Sequence, residues 1–231
     1  MNYNLISSKN NNILILILSV LFLGCPSEDL PPLPPDPELP DGYVDEVWNE
    51  FGVQLYSESL YNFEYALDIE PDNLSAKMGK AWCLLILDDS EEGSSFGQIE
   101  TLFDEGVSDS IWSTSSYSGL AILKFVQEEF NSSIIYADSV LAKDPQFVFQ
   151  FDSEIDFRDI LLVKAQAQFF TQQYVESGSS LFQISMNYYL DPDADFWLIE
   201  SAQYESFVDA LVAVINEASI DIDSNGIISN P

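Results

Sequence analysis

One spaced pattern of apolar and small residues is written three times along the chain. It reads Phe51-x4-Tyr56-x2-Ser59, then Phe125-x4-Phe130-x2-Ser133, then Phe169-x4-Tyr174-x2-Ser177. An aromatic closes one helix, a short turn follows, and an aromatic opens the next helix; the small residue falls where two helices approach closely. Ala121 and Ala165 each lie four residues before the closing aromatic, one turn back on the same helical face. After the small residue the first copy continues Phe63, Ala66, Leu67, and the second Ala137, Val140, Leu141. That spacing is an amphipathic helical stripe. Pro71 and Pro145 then end those helices, because proline lacks the N–H and crowds the preceding turn. The third copy runs through Leu181 and Ile184 to a looser end at Leu190-Asp-Pro192. The chain therefore predicts an all-α array of helical hairpins, of the kind that stacks into a binding surface.

Further along, Phe207, Leu211, Val214 and Ile215 share one face of a last helix, predicted from Trp197 to about Ala218. Anchored by Trp197 and Tyr204, it caps the final hairpin. The segment Asp144 to Asp156 is longer than a hairpin linker and alternates Phe147, Phe149 and Phe151. Such alternation fits a briefly extended strand along the hairpins. Two roles stay open for these rings: a plug filling a gap between hairpins, or an aromatic lip on a binding groove.

The unit Trp48-x2-Phe51-x4-Tyr56-x2-Ser59-x3-Phe63-x2-Ala66-Leu67, ending at Pro71, resembles a tetratricopeptide (TPR) repeat. Gly79-x-Ala81-Trp82 and Gly119-Leu120-Ala121 resemble first helices of further units. The family repeat is about 34 residues. From Phe51 to Phe125 is 74 residues, two units and an insertion, and from Phe125 to Phe169 is 44, one unit and a loop. The resemblance spans roughly 43 to 190 and implies a TPR-like α-solenoid with a C-terminal capping helix. Serine stands at 59, 133 and 177 where the family usually has alanine. The second unit departs further, with a turn lengthened by Asp88 to Ser95 and a short second helix near Gly97 to Glu105. The resemblance implies a concave face that captures a protein or peptide, with Asn49, Lys80, Lys124 and Gln168 near the groove.

The N-terminal stretch predicts an address rather than a fold. Lys9 precedes an apolar run from Ile13 to Leu23, which is short for a membrane span and fits the core of a secretory signal. It ends Leu21-Phe22-Leu23-Gly24-Cys25, which resembles the lipobox of bacterial lipoproteins and implies lipidation of Cys25. Pro26 to Asp41 is rich in proline and acid, a semi-rigid spacer reaching about 50 Å at about 3.1 Å per residue. The expected organisation is a signal peptide at 1–24, a tether at 25–42, a repeat domain at 43–218 and a tail at 219–231. A lipid anchor, with no aspartate directly after Cys25, implies the outer membrane of a bacterial cell envelope.

Composition narrows the chemistry. The net charge is −32, from 39 acidic and 7 basic residues, and this excludes nucleic acid, whose phosphates need clustered Lys or Arg. The chain has no histidine, so the usual general base and the commonest zinc ligand are missing. Glycine-rich phosphate loops are absent too, and no enzyme activity and no cofactor is expected. Cys83 lies in an apolar helical run and reads as core. Arg158, the only arginine, opens a helix after the aromatic segment, either as a structural ion pair or as an anchor for an acidic ligand. Asp221-x-Asp223-x-Asn225-Gly226 matches the start of a calcium loop but stops before its bidentate carboxylate, so no metal is expected there. Two functions follow: a tethered interaction scaffold, or a glycan- or ligand-capturing lipoprotein using 144–157, with Phe147, Phe149, Phe151 and Arg158 as its contacts.

Overall fold

A computed structural model describes residues 38–87 and 95–225. The apolar leader, Cys25, most of the proline-rich tether and most of the turn from Asp88 to Ser95 lie outside the described residues. The described part is all-α apart from one small β-hairpin. It comprises α1 (Tyr43–Gly52), α2 (Tyr56–Ile69), α3 (Leu74–Leu87), α4 (Phe96–Val107), α5 (Ser113–Val126), α6 (Phe130–Lys143), α7 (Phe157–Phe170) and α8 (Tyr174–Ile184). A single 3-10 turn (Met186–Tyr188), strands β1 (Trp197–Ile199) and β2 (Ala202–Tyr204), and α9 (Phe207–Asn225) follow. Each helix packs on its chain neighbours, and the first helices of successive hairpins touch one another. No described helix is long and apolar enough to cross a membrane.

The repeated phrase builds the same turn each time. Gln54, Glu128 and Gln172, three residues after the closing aromatic, have φ of 64°, 60° and 62°. In the first turn Gln54 N–H donates to the Phe51 carbonyl (2.8 Å) and Leu55 N–H to the Glu50 carbonyl (3.1 Å). The pair repeats at Glu128 and Glu129, and at Gln172 and Gln173. These are Schellman closures, usually made with glycine at the left-handed position; here each holds a long polar residue at a cost of roughly 1 kcal/mol. The serines also have a reason. Ser133 Oγ donates to the Ala121 carbonyl (2.8 Å) and Ser177 Oγ to the Ala165 carbonyl (2.7 Å), tying second helix to first across both hairpins. Ser59 is buried without such a partner.

Between hairpins, glycine allows close approach. The Phe63 ring of α2 lies on Gly79 of α3, and the Phe103 ring of α4 on Gly119 of α5; a methyl group at either glycine would overlap the ring. Lysines clamp these two seams and the one between α6 and α7. Lys80 of α3 reaches Glu64 of α2 (3.0 Å), Lys124 of α5 reaches Glu100 of α4 (2.7 Å), and Lys164 of α7 reaches Asp138 of α6 (2.6 Å).

Three differences from the sequence expectation stand out. Trp197 does not begin the last helix. Trp197 to Tyr204 is an antiparallel hairpin whose two-residue turn, Glu200 and Ser201, has φ of 48° and 70°. That left-handed pair matches the strand twist, and β1 alternates buried, exposed, buried. The last helix starts at Phe207 and runs to Asn225, past the expected boundary at 218. Finally, α4 is a full three turns over Phe96–Val107, longer than the short segment expected.

Candidate functional site: an inner face filled by its own loop

The residues between α6 and α7 leave the stack and return 96 to 100 positions back along the chain. Asp144 ends α6, and its carboxylate accepts from Gln146 N–H (3.1 Å). The chain then runs extended, with Phe147 and Phe149 buried and Val148 half exposed between them. It doubles back through a tight bend: Phe149 N–H donates to the Ile155 carbonyl (2.8 Å), and Phe157 N–H to the Phe147 carbonyl (2.7 Å). The alternating pattern therefore does mark an extended segment.

The tip enters the faces of α1, α3 and the start of α5. Phe151 stacks on Trp48 at 3.9 Å between centroids and 14° between planes, and Trp112 lies near-parallel to both, at 5.7 Å from Phe151 and 5.5 Å from Trp48. Phe149 stacks on Trp82 at 4.6 Å and meets Trp48 and Phe51 edge-on. Offset stacks and edge contacts of this kind add about 0.5–1.5 kcal/mol each beyond area burial. Gly52 makes room for the backbone: a Cβ there would sit 2.7 Å from the Phe151 carbonyl oxygen.

Polar latches finish the closure. Tyr56 Oη–H donates to Asp152 Oδ2 (3.0 Å), and Gln54 Nε2–H to Glu154 Oε2 (2.9 Å). Burial and the Asp152 carboxylate hold the Tyr56 phenol well above its ordinary pKa, so it stays a donor. At the base, Asp156 caps α7 by accepting from Arg158 N–H (2.7 Å), while Asp156 N–H donates to Asp159 Oδ2 (2.7 Å), a reciprocal capping box. The Arg158 guanidinium pairs with the same Asp156 carboxylate. Burial pushes the Asp159 carboxyl up to about 7. Arg158 is thus spent on the loop's own base.

The structure sets the sequence candidates in place. Phe147 and Phe149 are core residues and partly buried Phe151 is wedged against Trp48, so the segment packs as a plug with Phe151 at its rim. Beside its tip lies an open depression of about 350 Å³, lined by Gly52, Gln54, Gln150, Phe151, Ser153 and Glu154. Of the groove candidates, Asn49 is exposed, Lys80 and Lys124 are held by Glu64 and Glu100, and buried Gln168 accepts from Ser180 Oγ (2.8 Å). Burial pushes the Cys83 thiol far up, away from thiolate chemistry. Asp221 accepts from Tyr188 Oη–H (2.5 Å); the side chains of Asp223 and Asn225, the next positions of the calcium-like motif, lie outside the described residues. Gly226 and the positions after it lie outside the described residues. Among the described residues no group of three or more His, Cys, Asp or Glu is placed to hold a metal ion.

The lysine clamps and the left-handed turn residues are what the sequence reading passed over. The clamps carried a faint signal, an acid five residues after the phrase serine in the first two copies, at Glu64 and Asp138. No family model, curated protein or solved structure matches the chain.

Proposed function

We propose that this chain is a TPR-like interaction module, tethered by lipid at Cys25 to the bacterial outer membrane, that acts as a protein-binding scaffold in the cell envelope. The observation that carries the reading is the stack itself: hairpins that share the left-handed turn at Gln54, Glu128 and Gln172, joined by Phe-on-Gly seams and lysine clamps. Helical arrays of this build present extended surfaces, and their usual work is binding. Because the inner face is filled by residues 147–151, partners engage the outward surfaces and the end of the stack. The glycan-capture alternative draws less support from the geometry, since Phe147 and Phe149 lie inside and Phe151 alone of the three borders the open depression.

Two measurements test this. Intact mass of the membrane-extracted protein, beside a Cys25→Ala form, should show cleavage before Cys25 and added acyl chains. Crosslinking in intact envelopes should then yield discrete adducts that a lipid-anchored control protein lacks. An unlipidated product removes the tether, and the absence of adducts removes the scaffold.

A further inference from the structure

From the end of the stack we infer a docking surface for a cationic amphipathic helix of a partner protein, a reading that rests on the scaffold function above. Five residues after the phrase serine, the first and third hairpins carry Glu64 and Asp138, each clamped by a lysine of the next hairpin's first helix. The fourth hairpin carries Phe182 there instead, 43 % exposed. The helix that follows it, α9, contains no lysine or arginine. It covers only one side of α8, with Phe207 and Leu211 lying over Gly178. The other side stays open. Val175 and Phe182 share that face two turns apart, Phe182 meets Tyr189 at 5.5 Å, and Met186 between them is 79 % exposed. Exposed apolar side chains gathered at one end of the fold, beyond those scattered singly, mark an interaction surface.

Charge selects the occupant. The exposed charged residues that adjoin it along the chain are acidic: Glu176 follows Val175, and Asp191, Asp193 and Asp195 follow Tyr189. No lysine or arginine follows Lys164 in the sequence. A second copy docking through the same face would set acid against acid. Docking through the front of its stack would bring the exposed Asp45 and Glu46 of α1. An anionic lipid surface is repelled in the same way. A helix with an apolar stripe flanked by lysine or arginine satisfies both the rings and the acidic residues beside them.

The test uses the full-length protein and two synthetic helical peptides with the same leucine stripe, one flanked by lysine and arginine, the other by glutamate. Fluorescence anisotropy should show binding of the basic peptide alone. A Phe182→Ser/Met186→Ser variant should bind it roughly tenfold more weakly, because the apolar anchors dominate such sites. Ile135→Ser, an exposed apolar residue on α6, should leave it unchanged. Equal binding by the double variant would reduce the effect to the general acidic field and overturn the inference, as would binding of both peptides or of neither. Loss of self-association, or of flotation with phosphatidylcholine vesicles, in the double variant would reassign the face to a second copy or to lipid. If envelope adducts survive in the double variant, the scaffold stands and this surface is wrong; if wild type yields none, the scaffold falls as well.

Discussion

The first and third hairpins, at the front of the stack, and the terminal hairpin with its cap begin from the same sequence phrase and end in different interiors. In front, large rings interlock: Trp48, Trp82, Phe63, Phe103 and Phe149 are all at most 1 % exposed and lie in mutual contact. At the rear the core is mostly aliphatic, Leu161, Leu181, Leu211, Val214 and Ile215, roofed by the small β-hairpin and α9. Glycine shows the contrast at one atom. Gly79 and Gly119 have no room for a methyl group, whereas a Cβ on Gly178 would meet Phe207 at an ordinary 3.5 Å. The phrase sets the turns in both regions. How tightly the hairpins then close depends on what reaches them from elsewhere in the chain, an aromatic plug in front and a separate helix behind.

The sharpest way to break this contrast is to remove the plug. Phe149→Ala should cost about 3–5 kcal/mol in urea unfolding, as expected for an aromatic deleted from a closed core. Phe182→Ser on the rear surface should stay within about 0.5 kcal/mol. Equal effects would mean that the plug is peripheral.

Asp159, at the seam between the regions, comes next. Its carboxyl is raised from 3.8 to about 7 by burial, so the protonated form is favoured in the folded chain. Its contribution to stability is complete below about pH 4 and is lost as pH rises through 7. Wild type should therefore lose on the order of 2–3 kcal/mol relative to Asp159→Asn between pH 5 and pH 7. The asparagine oxygen still accepts from Asp156 N–H, so the cap is kept. A pH-independent gap between the two thermal melts would refute the account.

Gly79→Ala should cost about 1–3 kcal/mol through overlap with Phe63, which has nowhere to move. Gly178→Ala should be neutral or gain up to about 1 kcal/mol from helix propensity. Chemical denaturation of the pair measures how far seam tightness differs between front and rear. The smallest effect belongs to the feature the two regions share. Glu128→Gly and Gln172→Gly, one in each, should both stabilise by about 0.5 kcal/mol, as relief of the left-handed strain is partly offset by the freer unfolded chain. A gain in one region alone would show that the two turns are not equivalent.

Much of this architecture was legible because it is local. The aromatics at 51, 125 and 169 closed helices as the spacing implied, Pro71 and Pro145 ended them, and Gly79 and Gly119 marked first helices. The β-hairpin at Trp197 was missed because three-residue strands leave too little periodicity to compete with an adjoining helical stripe. Its signal was a left-handed Glu200-Ser201 turn, which neither residue type advertises. At the candidate site, the extended run of Phe147, Phe149 and Phe151 was readable, but its destination was not.

The sequence by itself determined the hairpins and their order, since each rests on residues within about one repeat of one another. Only the tertiary structure decided that the faces of α1 and α3 are filled by the loop and that Val175 and Phe182 of α8 are left exposed. Those outcomes depend on Tyr56 meeting Asp152 across 96 residues and on which side of α8 the last helix covers. Stacking energy is the same for a ring whether it closes a core or receives a partner, so a pattern of aromatics cannot tell the two apart until long-range packing assigns them.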